Sequence, residues 1–416
     1  MSSPTSSTIS HMHDHLSKSL EIIEAESHYC AHNYHPLPVV IDHGQGVWLY
    51  DVEGRKYLDM MSAYSAVSHG HSHPELVKVA QDQIAKLCIT SRAFYTSKLG
   101  PFLAKICTLS GLDMALPMNT GAEAVETAIK ASRLWGYEVK KIPEGKAEII
   151  VATNNFHGRT TTIVGFASEE ISKHHFGPFT PGFIQVPFGD INAIKKAITP
   201  NTCAVLFEPM QGEAGIMIPD TNFLKELRAV CDQERVLMIL DEVQTGLGRT
   251  GKLFAFEHAN IRPDGLILGK ALGGGILPVS VFVGKKEILS LFTAGSHGST
   301  FGGNPLAATI GLKALELIEE LQLVENSAKM GHYFKEQILA LKSPIITAVR
   351  AAGLWIGVDL DPAKITGRQF AEKLLKKGIL TKDTRKQTLR FAPPLIITKA
   401  EIDLAITAMA EVLKDI

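Results

Sequence analysis

The chain has 416 residues, 45% of them hydrophobic and 20% charged, which is too apolar for disorder and too long for one ordinary core, so two or three domains are expected. Lys and Arg number 42 against 43 Asp and Glu, a formal net charge of −1. No overall positive field is therefore available for a phosphate backbone, and a dedicated nucleic-acid binder is not expected. The longest apolar runs, such as Val236 to Leu240, fall far short of the roughly 20 residues that cross a bilayer, so no membrane span is expected. Five cysteines (Cys30, Cys88, Cys107, Cys203, Cys231) are odd in number and contain no CxxC pair, which points to free thiols in a reducing compartment. Residues 1–20 are rich in Ser and Thr, carry Asp14 and lack both Arg and an apolar run, unlike a signal or transit peptide. Cytoplasmic residence is the default expectation, with residues 1–27 as a flexible tail in which His11, His13 and His15 are solvated.

From Val39 to Met60, short apolar alternations broken by Gly44, Gly46 and Gly54 predict a small antiparallel meander within an N-terminal segment spanning 28–60. Helices follow from Pro74 to about Ile89 and near Lys98 to Leu109, then a strand around Ala115 to Met118 and a helix from Ala122 to Trp135. Buried-strand runs come next at Glu148 to Ala152, Phe183 to Val186, Cys203 to Phe207, Val236 to Leu240, Gly265 to Leu268 and Val279 to Val283, with a helical window at Asn222 to Gln233. Such alternation with continuously apolar strands predicts an α/β domain over 61–303, a mostly parallel sheet with helices on both faces. Beyond it, a long helical window starts at Pro305, breaks near Gln322 and ends near Leu341. Strands at Ile345 to Val349 and Leu354 to Leu360, a helix at Gly367 to Lys377, a strand pair of Ile379 to Thr381 with Thr388 to Phe391, and a helix from Lys399 complete a smaller α+β domain over 304–416.

The run GLGRTGK (Gly246 to Lys252) imitates a phosphate loop. Lys252 is followed by Leu253 rather than by Ser or Thr, and no long crossover helix follows, so neither nucleotide nor dinucleotide chemistry fits. A more coherent constellation starts at Asp241, an acid at the carboxyl end of a very apolar strand, where open α/β sheets place ligands. A second strand, GLILG, ends at Lys270 among glycines. An amine for a Schiff base and a carboxylate to keep a pyridine nitrogen protonated are what pyridoxal 5'-phosphate chemistry needs. The bland alternative for the pair alone is a solvated lysine and a capping aspartate. NTGAEA (Asn119 to Ala124) joins a strand to a helix start, an anion site suited to a phosphate. HGST before FGGNP offers the hydroxyls of Ser299 and Thr300 for the same phosphate, and NFHGRT supplies aromatic rings for stacking and Arg159 for a carboxylate. The histidines of HGHSHP (His69, His71, His73) have metal-like spacing but no acidic or cysteine partner nearby in sequence, and read as an entry into a helix; no metal is expected.

LDEVQTGLGRTGK, LGKALGGG, HGSTFGGNP and EPMQGEAG closely resemble the fold-type I, class III (omega) aminotransferases, and the likeness extends from AHNYHPLPV through SAYSAVSHGHSHP, TSRAFYTS, LPMNTGAEA and FGPFTPGF to LRFAPPL. The resemblance implies pyridoxal 5'-phosphate, bound covalently through Lys270. Asp241 would meet the pyridine nitrogen, Gln244 the phenolic oxygen and Phe156 the ring face, with His157 and Val243 also at the cofactor. Gly121 and Ala122 would hold the phosphate, and Ser299 and Thr300 would reach it from the neighbouring subunit of a homodimer with shared active sites.

For substrates, the resemblance implies that Arg390 binds the α-carboxylate of glutamate or 2-oxoglutarate, that Glu213 neutralises Arg390 while a diamine is bound, and that Arg159 takes the distal carboxylate. Tyr34 and Tyr64 match family members that use ornithine, the first meeting its amino-acid end and the second lining the pocket from the partner chain. The expected reaction moves the δ-amino group of L-ornithine to 2-oxoglutarate. N-acetylornithine, 4-aminobutyrate or an intramolecular aminomutase reaction are the alternatives.

Overall fold

Residues 18–416 are described by the computed structural model. Its first element is a helix over Lys18–Tyr29, so the chain is already helical within the stretch expected as tail, and Ser19 is held by the Glu53 carboxylate. The rest of the expected tail, residues 1–17, lies outside the described residues. Strands β1 (Ile41–Gln45), β2 (Trp48–Asp51) and β3 (Lys56–Asp59) form the expected antiparallel meander.

The large sheet contains β4 (Met114–Met118), β5 (Glu148–Ala152), β6 (Phe183–Val186), β7 (Thr202–Phe207), β8 (Leu237–Asp241), β9 (Gly265–Leu268) and β10 (Ser280–Gly284), in the spatial order β4-β10-β9-β8-β7-β5-β6. β10 runs antiparallel to both of its neighbours, and every other pair is parallel. Strands β7 to β10 are buried at every residue, because their alternate side chains enter two separate cores. Val205, Phe207, Met238 and Leu240 belong to one cluster with Phe102 and Leu227, while Ala204, Leu206, Leu237 and Ile239 pack with Ala124 and Ala128 of the helix Gly121–Glu138. The expected α/β architecture with both faces covered is thus present.

The C-terminal part carries the helices Pro305–Glu320 and Leu323–Ala340, broken at Gln322, which is left-handed at φ 51°. Strands β11 (Ile346–Ala352), β12 (Trp355–Leu360), β13 (Ile379–Leu380), β14 (Lys382–Thr384) and β15 (Thr388–Phe391) follow, with a last helix over Lys399–Lys414. The pairing differs from the sequence reading. β13 joins β3 in parallel and so completes the N-terminal meander, whereas β15 pairs with β14, a strand that the apolar pattern does not reveal. The switch between sheets occurs at Thr381, whose buried hydroxyl donates to the Arg390 carbonyl at 2.6 Å.

Strand polarity sets the site. β8 and β9 are parallel neighbours, so Asp241 and Lys270 leave the same edge of the sheet. β4 is antiparallel to β10 and therefore shares that direction. Thr120 and the helix behind it, the loop after β5 and the loop after β7 all emerge at this edge, the carboxyl edge where α/β sheets bind ligands.

Candidate active site

A cavity of about 200 Å³ opens at that edge, lined by Gly121, Ala122, Phe156, His157, Asp241, Val243, Gln244 and Lys270, all from the sequence-derived set, together with Gly158, Glu208, Met210 and Thr245. One wall is the first turn of the helix Gly121–Glu138, where Thr120 and Glu123 form a reciprocal capping box. The cap fixes the helix start while the N–H groups of Gly121 and Ala122 stay at the cavity, next to the positive end of the helix dipole. Gly158 is required opposite: its φ is 127°, and a Cβ there would come within 2.9 Å of the Ala122 Cβ.

Asp241 is held on both oxygens. Oδ1 accepts from the Val243 N–H at 3.0 Å, and Oδ2 accepts from His157 Nδ1 at 2.7 Å. Burial works against charge on His157, but the bond to Asp241 and the nearby Asp241 and Glu208 charges outweigh it and raise its pKa. His157 Nε2 is buried without a partner. Glu208, which sequence reasoning missed, directly follows the last residue of β7, and its oxygens accept from the Phe156 and Gly212 N–H groups at 3.0 and 3.2 Å. Burial, opposed by His157 and reinforced by Asp241, pushes its carboxyl up to about 7.

Lys270 sits at φ 45°, a left-handed conformation that a non-glycine residue holds only when its surroundings enforce it. Burial of the amine, then the Arg390 charge, bring its pKa down to about 8, against the pull of Glu213 and Asp241. A larger share of the amine is thereby neutral and nucleophilic near physiological pH than of an ordinary lysine.

Arg390 is fully buried, and its guanidinium donates to Glu213 Oε1 at 2.5 Å and to Gln244 Oε1 at 2.7 Å, while Gln244 Nε2 donates to Glu213 at 3.3 Å. Burial opposes charge on Glu213, but Arg390 holds its carboxyl below the usual range. A Cβ at Gly212 would overlap Gln244, so glycine there leaves room for this bridge. Tyr64 belongs to a four-residue left-handed turn, Ser62 to Ser65, with φ from 42° to 76°. That turn brings the Tyr64 ring to 5.3 Å from the Arg390 guanidinium of the same chain. This corrects the expectation that Tyr64 enters from a partner chain.

The remaining sequence-derived residues lie further out. Arg159 is exposed and stacks on Phe156 at 5.6 Å. Tyr34 is 69% exposed, in an extended segment that Arg368 anchors through the His35 and Pro36 carbonyls. Ser299 accepts from Asn119 Nδ2 at 2.9 Å, and Thr300 lines a different cavity, of about 480 Å³, beside the exposed Phe94 and Tyr95. Neither hydroxyl lines the Lys270 cavity of its own chain. His71 does have an acidic partner, Asp59 at 2.7 Å, and His69 Nε2 donates to the Ala314 carbonyl at 2.9 Å, so both histidines have partners within the fold. No metal-binding cluster occurs among the described residues. The phosphate-loop lookalike instead buries Arg249, which bonds the Leu354 and Pro393 carbonyls.

A mostly parallel sheet with a buried amine and an anchored carboxylate at adjacent strand ends, beside a free helix start, defines a transferase of the pyridoxal-phosphate fold-type I class. The model of the family "Aminotransferase class-III" matches residues 29–413, and the chain belongs to that family. Among its relatives, an ornithine aminotransferase of Brevibacillus brevis is 52% identical over 398 residues, covering 96% of this chain and 99% of the relative. An ornithine aminotransferase of Bacillus subtilis is 53% identical over 400 residues, with the same coverage of both. A solved ornithine aminotransferase from Toxoplasma gondii superposes with TM-score 0.95 at 36% identity, covering 100% of this chain and 98% of that one. An acetylornithine aminotransferase from Elizabethkingia anophelis superposes at 0.87 with 43% identity, over 96% of this chain and 100% of that one.

The cavity fits the family's cofactor. It offers backbone N–H groups for a phosphate, a carboxylate fixed by His157 for a pyridinium, the Phe156 ring for stacking and one poised amine.

Proposed function

We propose that this protein transfers the δ-amino group of L-ornithine to 2-oxoglutarate, giving glutamate and glutamate 5-semialdehyde, which cyclises to pyrroline-5-carboxylate. The observation that carries this reading is the Arg390–Glu213 pair at 2.5 Å, close enough to Lys270 for both charges to act on its amine, which would give one site two charge states. With the pair closed, the site tolerates a cationic diamine. When Glu213 turns away, Arg390 is exposed to a dicarboxylate, so one movable ion pair yields differential affinity. Near-full-length similarity to proteins named ornithine aminotransferase supports it.

Pyridoxal phosphate supplies an electron sink for the carbon that bears the amine. The protein supplies the rest. Lys270 Nζ would hold the cofactor and, as the one amine lining the cavity, would move the proton between the substrate carbon and the adjacent position. Asp241 would keep the pyridine nitrogen protonated, Gln244 would meet the phenolic oxygen, Val243 and Phe156 would confine the ring, and Gly121 and Ala122 would bind the phosphate. Arg159 takes the distal carboxylate, and Tyr34 meets the amino-acid end of ornithine.

The same reading makes the unit a homodimer in which Ser299 and Thr300 reach the partner's phosphate; their placement outside the Lys270 cavity of their own chain supports this. It divides the chain into a segment over 28–60, a cofactor-binding domain over 61–303 and a C-terminal domain over 304–416; the large sheet and the β11-β12-β15-β14 sheet support the last two, while β13 ties the C-terminal stretch to the N-terminal sheet. Cytoplasmic location belongs to the reading as well; no helix among the described residues is long and apolar enough to cross a membrane.

The test is a visible spectrum of cofactor-loaded protein with L-ornithine and no keto acid. Conversion to the amine form of the cofactor, reversed by 2-oxoglutarate, is expected. Conversion by N-acetylornithine or 4-aminobutyrate with none by ornithine would move the substrate to a neighbouring branch of the family, and turnover without any keto acid would indicate an aminomutase.

A further inference from the structure

Lys382 stands directly opposite Arg390 in the β14–β15 pair. Residues opposite one another on antiparallel strands project from the same face of a sheet, so the two cationic side chains leave the sheet side by side. Both reach one residue. Lys382 Nζ donates to the Tyr64 hydroxyl at 3.0 Å and lies 5.5 Å from the ring centroid, and the Arg390 guanidinium lies 5.3 Å from the same ring.

Their charges are handled differently. Arg390 is neutralised by Glu213. Lys382 is half-buried, and no carboxylate lies within ion-pair distance of it among the described residues; its one hydrogen-bond partner there is the Tyr64 phenol. A lysine on the outer strand of a sheet ordinarily extends into solvent, where it discourages edge-to-edge pairing. Lys382 instead turns inward over the aromatic ring that faces the Arg390 end of the site. Tyr64 is held there by the left-handed turn, itself pinned by Ser62 Oγ to the Ala392 carbonyl at 2.6 Å and by the Met61 and Ser62 N–H groups to Asp59.

We propose that Lys382 is a specificity-determining residue, the second cation of the subsite that receives the carboxylate of a dicarboxylate substrate after Glu213 releases Arg390. This rests on the functional reading above. With the Glu213–Arg390 pair closed, the subsite keeps only the Lys382 charge, turned onto a phenol, and a diamine meets little repulsion. With the pair open, two adjacent cations face one carboxylate. Tyr64 then has a defined part: its hydroxyl keeps the ammonium from swinging to solvent, and its ring face accepts both cations.

The measurement is calorimetric titration of glutarate, a dicarboxylate that carries no amino group to transfer, into cofactor-loaded wild type and Lys382→Met, with KM for 2-oxoglutarate and for ornithine measured alongside. Methionine keeps the length of the side chain and removes its charge. Glutarate affinity and the KM for 2-oxoglutarate are expected to weaken by about tenfold, the scale of one charge contact in a partly buried site, while the KM for ornithine stays within about twofold or falls. Lys382→Arg should restore most of the glutarate affinity, and Tyr64→Phe should lose part of it. Equal changes for both substrates, or unchanged glutarate binding in Lys382→Met, would overturn the proposal and leave the functional reading standing. Wild-type protein that binds no glutarate would overturn both. A lysine with a purely structural part would lower the melting temperature without splitting the two KM values, and that result also counts against it.

Discussion

Glu213 Oε1 lies 2.5 Å from Arg390 Nη1, and Gln244 touches both partners, so the ion pair forms one side of a closed triangle. Arg390 is buried, and removing its partner leaves a cation at a site that a diamine must enter. Glu213→Ala is therefore expected to raise the KM for ornithine by about tenfold or more, on the scale of one uncompensated charge near a cationic substrate, while glutamate is still accepted. Steady-state kinetics with both donors decides it: an unchanged ratio of the two specificity constants would rule out a gating role for the pair.

Lys270 is the lysine that lines the cavity. Lys270→Ala should abolish the visible band of cofactor-loaded protein, since the band requires a covalent bond to a lysine amine, and should reduce transamination to background. A band of native intensity in the variant would transfer the role to another lysine.

The same amine gives a pH prediction. Burial, then Arg390, lower its pKa from 10.5 to about 8. Below that value it is protonated and cannot attack the cofactor aldehyde; above it, the neutral fraction grows. The rate at which cofactor-free protein takes up pyridoxal phosphate should thus rise with pH through a midpoint near 8. Arg390→Met removes a repelling charge and leaves Glu213 unpaired, and both effects raise the amine pKa, so the midpoint should move upward. Stopped-flow absorbance from pH 6 to 10 checks both parts, and a midpoint that moved downward in the variant would contradict the assigned cause.

The anchoring of Asp241 predicts a graded pair of variants. Asp241→Asn keeps the shape but removes the charge that holds a proton on the pyridine nitrogen, and turnover should fall by roughly 10²-fold or more, as expected for losing a preorganised charge at the reacting group. His157→Phe leaves that charge in place but removes its 2.7 Å bond, so a smaller loss, about tenfold in cofactor affinity, is expected from one charge-assisted bond. Equilibrium titration with the cofactor and steady-state rates should show that order. A His157 variant worse than the Asp241 variant would reverse the assignment of which group acts and which positions.

The large sheet was legible in sequence because β7 to β10 are short, continuous apolar runs, and burial on both faces leaves little freedom in where such strands lie. Asp241 and Lys270 were legible for the same reason, as polar residues at the ends of those runs. Glu208 obeys the same rule one residue past β7, but within EPMQGEAG nothing in the sequence sets it apart from Glu213. Lys382 was not legible. β14 alternates polar residues and has no apolar face to mark it, and its importance arises only from register with Arg390 and from a left-handed turn more than 300 positions away in sequence, as the 318-residue separation of Lys382 and Tyr64 shows. A resemblance carries residue identity but not the path of the chain, and it is the left-handed turn that brings Tyr64 to Arg390 of its own chain.

Arg249 tests how the parts of the chain are held together. It is completely buried, and Nη1 donates to the Leu354 and Pro393 carbonyls at 3.0 and 2.6 Å, while Nη2 meets the hydroxyls of Ser62 and Ser68 at 3.3 Å each. Burial, followed by the nearby Arg390 charge, pulls its guanidinium down to about 9, with Asp59 opposing. Charge is thus a cost at this position, and the hydrogen bonds are the gain. Arg249→Met removes the cost but strands two buried carbonyls, each worth about 1–3 kcal/mol when left unsatisfied. The unmade bonds should win, with a net destabilisation of roughly 2–4 kcal/mol, read as a lower urea midpoint of the cofactor-loaded protein. Because Ser62 opens the turn that carries Tyr64 and Ser68 follows it, the same variant should also weaken glutarate binding. An unchanged urea midpoint would mean that the buried guanidinium contributes nothing beyond filling space, and an unchanged glutarate affinity would separate the Tyr64 turn from the Arg249 network.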